Sequence, residues 1–344
     1  MAADSTPPMV SVVIPHYGGT EILGDCLTSL NKCSYPNLEI IVIDNASLDD
    51  SVQFIKSNFP EVNLIQSEYN RGFAGGCNFG AQHAKGNYLL ILNNDTIHES
   101  DWIDHLVNMM ESNSNISAVQ PKIKNFDNRD YFDYAGACGG FIDKYCFPFA
   151  RGRIFNTIEK DEGQYDDPCK IFWASGTAFL TRKNIFDQLG GFDETFFAHM
   201  EEIDYHWKSQ MLGNEIWVEP ASVIFHKGAM TLPVSSPQKT YLNYRNSMIL
   251  LLTNYPIGTS FYLFLPRFFM ECISLTKEIL TFKWGHAFSI IKSWIWIMGH
   301  LRLLMKRRSF LANNNIITPE FIFKKSIVRK YFIGGKRKYT QIKN

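Results

Sequence analysis

The run Tyr88-Leu89-Leu90-Ile91-Leu92-Asn93-Asn94-Asp95-Thr96 decides the fold. Five apolar-rich residues without polar alternation describe a strand covered on both faces, as in parallel sheets flanked by helices. The run stops on Asn-Asn-Asp, residue types that favour turns. Working outward, the same unit recurs. Residues 10–15 read as a strand followed by Tyr17-Gly18-Gly19, residues 38–43 as a strand ending in Asp44-Asn45-Ala46-Ser47, and residues 62–66 as a third strand. Between them, residues 21–30 carry Ile22, Leu23, Cys26, Leu27 and Leu30 at helical spacing. A second helix capped by Asp49 or Asp50 runs to about Ser57, a third covers 72–84, and a fourth, capped by Ser100, covers 100–110.

Strand and helix alternating over short connections predict an α/β fold with a mostly parallel central sheet. Ligands in such sheets bind beyond the carboxyl ends of the strands. The polar groups at 15–17, 44–47 and 93–95 are therefore expected on one edge. From 125 to 168 the periodicity fades, as in long loops or small antiparallel strands. Order returns at 172–180, with helices at 183–189 and 201–212 and two short strands at 215–218 and 222–225 before His226.

The chain of 344 residues is 45% apolar, and its net charge of zero hides a split. Residues 1–238 carry 16 Lys+Arg against 31 Asp+Glu, while residues 239–344 carry 18 against 3. Such a basic tail faces a polyanion, either nucleic acid or anionic lipid. Its helical stretches, 241–252, 261–280 and 287–304, mix cations with Trp, Phe and Leu, which favours lipid over nucleic acid. None is apolar enough to span a bilayer. Trp284, Trp294 and Trp296 beside Lys283, Lys292 and Arg302 fit amphipathic helices lying in the headgroup layer. The alternative is a helical subdomain packed on the body. Seven scattered cysteines without a C-x-x-C pair point to a reducing compartment, and the start of the chain lacks the features of a signal peptide. The expected location is cytoplasmic, peripheral on the inner face of the cell membrane.

Residues 10–17, 40–50, 70–80 (Asn-Arg-Gly-Phe-Ala-Gly-Gly-Cys-Asn-Phe-Gly), 92–96, 174–178 and 190–204 together resemble the inverting family 2 glycosyltransferases, nearest to the rhamnosyltransferase-like and galactofuranosyltransferase-like branch. The resemblance implies the GT-A fold over residues 1–238. About 10–125 would form the nucleotide-sugar half and about 126–238 the acceptor half, followed by the membrane-associating tail 239–344. It implies transfer of a hexose or deoxyhexose from a nucleotide diphosphate donor to a lipid-linked or oligosaccharide acceptor.

Charge develops on a departing diphosphate, and Mg²⁺ or Mn²⁺ stabilises it through few protein ligands. Asp95 resembles the last acid of the family's Asp-x-Asp motif, though Asn93 and Asn94 stand where relatives have an acid; Asn94 is left to bond the ribose or a metal-bound water. His226 matches a second metal ligand. Glu201-Glu202-Ile203-Asp204 resembles the Glu-Asp-x-Asp signature. It makes Glu202 the general base and gives Asp204 an orienting or supporting role, with Glu201 sharing a helical face with Asp204 at i, i+3. Pro15 and Tyr17 are expected against the base, and Asp44 and Asn45 against base and ribose. Asn70, Arg71, Gly72 and Asn78 would border the diphosphate, Arg71 offsetting its charge. Trp173 and Gly176 would belong to the acceptor site. A sugar-1-phosphate nucleotidyltransferase would need a basic glycine-rich loop after the first strand, which Pro15-His16-Tyr17-Gly18-Gly19 does not provide. A dinucleotide oxidoreductase would need G-x-G-x-x-G there. A non-catalytic glycan- or nucleic-acid-binding protein fits poorly with Asp95, Glu202, Asp204 and His226 together.

Overall fold

The computed structural model describes residues 6–228 and 236–342. Strands β1 (Val10–His16), β2 (Leu38–Asp44), β3 (Asn63–Gln66) and β4 (Tyr88–Leu92) alternate with helices α1 (Thr20–Leu30), α2 (Ser51–Asn58) and α3 (Gly72–Ala81). The four strands run parallel in the order β3-β2-β1-β4, with Val13 opposite both Ile41 and Ile91. The order therefore reverses between β1 and β4, where a ligand crevice opens in sheets of this type. The β1–β4 ladder ends at Val13, so Pro15, which has no N–H to donate, leaves no bond unmade on that side. Helix α3 lies close against the sheet through its glycines. A Cβ on Gly80 would stand 2.4 Å from Ile43 Cδ1 and 2.5 Å from Val13 Cγ1.

Beyond β4 the sheet turns mixed. The short β5 (Thr96–His98) leads to α4 (Trp102–Ser112), which starts behind Asp101 rather than Ser100 and has no side-chain cap. Strand β6 (Ile116–Asn125) follows, an element that periodicity misses because Gln120, Pro121 and Lys122 interrupt it. A smaller sheet holds β7 (Gly140–Asp143), β8 (Pro148–Ala150), β9 (Arg153–Ile154) and β10 (Thr157–Ile158). The chain then returns through β11 (Cys169–Lys170) and β12 (Ala178–Arg182), the latter inserted antiparallel between β4 and β6. After α5 (Lys183–Leu189) and α6 (Glu201–Met211) comes β13 (Glu215–His226). This is one strand where two were expected, parallel to β6 with a register shift between Glu219 and Val223.

The tail forms α7 (Pro237–Thr253), α8 (Ile257–Leu280), α9 (Trp284–Gly299), α10 (Leu301–Arg307) and α11 (Ser309–Asn313); β14 (Ile322–Phe323) then pairs with β7 of the smaller sheet. Two apolar clusters fill the faces of the large sheet. A third joins Phe172, Trp173, Met200 and Trp207 of the body to Met248, Ile249, Leu263, Ile297 and Leu304 of the tail. One face of the tail is thus packed on the body. The other is bare: Leu265 is 71% and Phe282 77% exposed, and Phe261, Tyr262, Phe269, Trp284, Phe288, Met298 and Met305 are also exposed. Trp294 and Trp296 do not belong to that bare face. Trp294 donates to Glu271 Oε2 at 2.6 Å, and Trp296 lies between His300 and the Arg245 guanidinium. No helix of the described residues is long and apolar enough to cross a membrane.

Candidate active site

A cleft of about 650 Å³ opens along the carboxyl edge of the parallel strands. Pro15, Tyr17, Asn45, Asn70, Gly72, Asn94 and Asp95 border it from one half, and Trp173, Gly176, Glu201, Glu202 and His226 from the other. Lys239, Asn243, Tyr244, Ser247 and Arg267 of the tail, none of them anticipated, complete the wall. Asp44, Arg71, Asn78 and Asp204 lie off the lining. Asp44 is buried and accepts the Ser47 amide at 3.1 Å. Arg71 turns away from the cleft to donate from Nε to Ser67 Oγ at 2.9 Å, its guanidinium over the Tyr69 and Phe79 rings. Asn78 exchanges two hydrogen bonds with the Phe192 backbone, both 2.8 Å, and so ties α3 to the 190–194 loop. Asn45 borders the cleft, yet it accepts the Arg71 amide at 3.2 Å and donates to the Gly72 carbonyl at 2.9 Å, stapling that loop in place. Trp173 likewise rests on Gly140 and donates from Nε1 to the Phe141 carbonyl at 2.8 Å.

At the crevice between β1 and β4, His16 Nδ1 accepts from Asn94 Nδ2 at 2.8 Å while Nε2 faces Ser51 Oγ at 2.8 Å. Burial lowers the pKa of His16 against the opposing pull of Asp49 and Asp44. The neighbouring Asp95 meets His226 because β5 pairs antiparallel with the end of β13, setting His226 opposite Thr96. His226 Nδ1 lies 2.8 Å from Asp133 Oδ1 and Nε2 lies 3.1 Å from Asp95 Oδ1. Burial disfavours the imidazolium, but Asp95 and Asp133 outweigh it and hold His226 at about 10. The Asp95–His226 contact lacks the alignment of a hydrogen bond, so Oδ1 and Nε2 are both buried without a hydrogen-bond partner among the described residues. A carboxylate oxygen and an imidazole nitrogen, the latter backed by a carboxylate on its other nitrogen, are the donor set of a divalent ion. Ligands at about 2.1 Å and at right angles stand about 3 Å apart, so the pair fits one. No cluster of three or more His, Cys, Asp or Glu ligands occurs among the described residues, which leaves the other positions to substrate and water.

The second acidic group begins α6. Residues 200–203 all border the cleft, because the helix enters it end-on. Glu201 therefore faces the cleft with Glu202 rather than sharing a face with Asp204, as the i, i+3 spacing suggested. Each glutamate has a buried Oε2 without a hydrogen-bond partner among the described residues. Burial pushes Glu202 up to about 7, while burial and the repulsion of Glu202 push Glu201 well above the usual carboxylate range. A Cβ on Gly176 would stand 4.0 Å from Glu202 Cδ and 3.3 Å from the Phe73 ring, so glycine keeps this approach open. Asp204 points to the tail instead. It accepts from Lys208 Nζ at 2.6 Å, Asn254 Nδ2 at 2.9 Å and Arg307 Nη2 at 3.1 Å. Burial opposes its ionisation, but Lys208 and Arg307 prevail and lower its pKa.

The loop before this helix is strained: Phe197, His199 and Met200 have φ of 63°, 68° and 75°. Such left-handed backbone costs about 1–3 kcal/mol per residue and persists only where surroundings enforce it. The enforcement comes from α7. Asn246 Nδ2 donates to the carbonyls of Phe196, Ala198 and His199 at 3.1, 2.9 and 2.6 Å. Arg245 Nη2 donates to those of Thr195 and Phe196 at 2.9 and 2.8 Å, and its Nε fixes the Asn246 amide through Oδ1 at 2.8 Å. The sequence signal for this clamp is an Arg-Asn pair in the middle of an apolar helix.

The chain belongs to glycosyltransferase family 2: the family described as Glycosyl transferase family 2 matches residues 11–190, just over half of the 344. It has the GT-A fold and is a glycosyltransferase. It is 30% identical over 115 residues to an uncharacterized glycosyltransferase of Haemophilus influenzae, covering 33% of this chain and 36% of that protein. It is 24% identical over 241 residues to the N-acetylglucosaminyl-diphospho-decaprenol L-rhamnosyltransferase of Mycobacterium tuberculosis, covering 65% of this chain and 78% of the relative. GalNAc-T7, solved with UDP, GalNAc and Mn²⁺, superposes with a TM-score of 0.57 at 20% identity over 72% of this chain and 48% of that one. Residues 1–349 of Staphylococcus aureus TarS, solved with UDP, superpose with a TM-score of 0.52 at 18% identity over 95% and 92%. These two share the fold.

Because Asn246 lies off the cleft lining and its amide nitrogen donates to the loop that sets the two glutamates, Asn246→Ala is expected to lower kcat by about 10- to 100-fold while nucleotide affinity is kept. Steady-state transfer and nucleotide titration, with a melting curve to establish folding, check this; an unchanged kcat contradicts the clamp.

Proposed function

We propose that this chain moves a hexose or deoxyhexose, rhamnose being one candidate, with inversion from a nucleotide diphosphate donor to a lipid-linked or growing surface glycan. The supporting observation is the meeting in one cleft of the Asp95–His226 pair and the Glu201–Glu202 pair. Asp95 and His226 would hold Mg²⁺ or Mn²⁺, which when bound offsets the charge of the departing diphosphate. Pro15, Tyr17, Asn45, Asn70, Gly72 and Asn94 border the nucleotide, and Trp173 and Gly176 the acceptor. Glu202 Oε2 takes the proton of the attacking acceptor hydroxyl. Glu201, pushed well above the usual carboxylate range by burial and by the repulsion of Glu202, is biased toward its neutral form beside the base. On this reading residues 1–238 hold the chemistry, and residues 239–344 hold α6 in place and meet the membrane.

Binding and hydrolysis across a panel of nucleotide sugars, with Mg²⁺, Mn²⁺ or chelator, test the reading. One donor is expected to bind or turn over only with metal, and Asp95→Ala to abolish the metal response. A folded protein that binds no donor overturns it.

The base acts as carboxylate, so kcat/KM is expected to rise with pH through about 7 and level off above it. Glu202→Gln is expected to bind donor but not transfer. A rate flat from about pH 5 to 8 would assign the proton to another group.

The bare face of α8 and α9 carries the exposed cations Lys283 and Lys292, and α10 continues it with Arg302 and Lys306. Apolar area with basic residues on one surface fits a helix pair lying in an anionic headgroup layer, here at the cytoplasmic face. Leu265→Glu with Phe269→Glu is expected to release the chain from phosphatidylglycerol vesicles in a flotation assay while donor hydrolysis continues. A wild-type chain that never floats with such vesicles removes the membrane from the reading.

A further inference from the structure

One corner of the cleft holds two cations, Arg153 and Lys239, that make no salt bridge among the described residues. Arg153, at the start of β9, is only 8% exposed; its guanidinium lies over the Tyr134 ring at 4.6 Å. Its Nε is buried and meets no hydrogen-bond partner among the described residues. Lys239, in the first turn of α7, brings Nζ to 5.5 Å from the centre of the same ring. Both side chains border the cleft, with Asn156, Asn243 and His199 around them. His199 Nε2 is likewise buried and unpartnered among the described residues, and burial and Lys239 keep the ring neutral with a pKa of about 4, so it adds no charge to the corner. The carboxylate that acts on Arg153 and Lys239 is Asp133, whose Oδ1 is already committed to His226 Nδ1 at 2.8 Å and to the Ala135 amide at 2.7 Å.

A buried guanidinium left without an acceptor costs several kcal/mol, and proteins relieve that cost with an anion. The corner adjoins the metal-fitting pair through Asp133. Asp95 and Asp133 bring two negative charges, and Arg153 and Lys239 two positive ones. A divalent ion on Asp95 and His226 then leaves an excess of two positive charges, the charge that a diphosphate diester carries in the opposite sign. The planar fork of arginine and the point charge of lysine are both suited to phosphate oxygens.

We infer that Arg153 and Lys239 form a diphosphate-binding corner, filled by the diphosphate of a substrate. Two substrates of the reaction proposed above carry that group: the nucleotide sugar, and an acceptor glycan borne on a lipid diphosphate. The inference rests on that reading for its source but not for its chemistry.

Calorimetric titration of the full chain with inorganic pyrophosphate in the presence of Mg²⁺ tests it directly, for wild type, Arg153→Met and Lys239→Met. Each substitution is expected to weaken pyrophosphate binding by about 10- to 100-fold. Lys239 is half-buried in a first helical turn, so Lys239→Met carries the test if Arg153→Met fails to fold. An affinity that falls in step for the nucleoside diphosphate assigns the corner to the donor. Unchanged nucleoside diphosphate affinity, with a raised KM for a diphosphate-linked acceptor but not for the same glycan without the diphosphate, assigns it to the acceptor. Unchanged pyrophosphate affinity in folded variants overturns the inference. Failure of the wild type to bind any nucleoside diphosphate, with pyrophosphate binding intact and sensitive to Lys239, would instead overturn the transferase chemistry and leave the corner standing.

Discussion

Three left-handed residues in a row of four, none of them glycine, are the constraint on which the site depends. Phe197, His199 and Met200 set the direction in which α6 enters the cleft, and with it the positions of Glu201 and Glu202. A backbone of this kind relaxes unless it is held, at a cost of several kcal/mol over the three residues. The holding groups, Arg245 and Asn246, come from the far side of the chain. A second tie runs from Arg307 to both Asp193 and Asp204. The acidic motif, which lies beyond the matched residues 11–190, is therefore shaped by the tail, and a division of the chain at residue 238, natural on charge, cuts across the bonds that organise the acids.

The two acidic groups of the cleft are handled by opposite means. Asp95 is kept ionised against burial by His226, a cation or a metal ligand according to what occupies the pair. Glu201 and Glu202 make no salt bridge among the described residues, and burial raises both. One group is thus held as a carboxylate, while burial makes the other hold its protons more tightly. Such separation of carboxylates by environment is how one site supplies distinct roles from the same functional group. Asp204 is the contrast: within four residues of the pair, yet neutralised by Lys208 and Arg307 and turned out of the cleft.

Much of this was readable in the chain. The strand runs ending in Pro15, Asp44 and Asn93-Asn94-Asp95 announce the parallel sheet and its ligand edge, because a doubly covered strand leaves an unmistakable apolar run. Ordered motifs single out Asp95, His226 and Glu202, and all three border the cleft. Arg71 and Asn78 were misplaced for a common reason: a polar residue in a glycine-rich loop reads the same whether it meets a ligand or pins the loop, and here Ser67 and the Phe192 backbone claim them. Asp133 and Arg153 were silent, since they lie in the aperiodic stretch whose short strands, two to four residues long, carry no periodic signal. Arg245 and Asn246 carry no motif that marks them in the sequence; only the tertiary contact gives them meaning.

The tail is packed on one face and bare on the other: α7 is buried along most of its length, while α8 and α9 turn large apolar side chains outward. One wall of the cleft is made by Lys239, Asn243, Tyr244 and Ser247 of α7 and Arg267 of α8. Arg267 is buried beneath that outward face, paired with Glu271 at 2.8 Å and donating to the Tyr145 carbonyl at 2.6 Å. The helix that carries the bare surface thus also closes the cleft. If that surface meets lipid as proposed, a lipid-borne acceptor would reach the glutamates along the same helix.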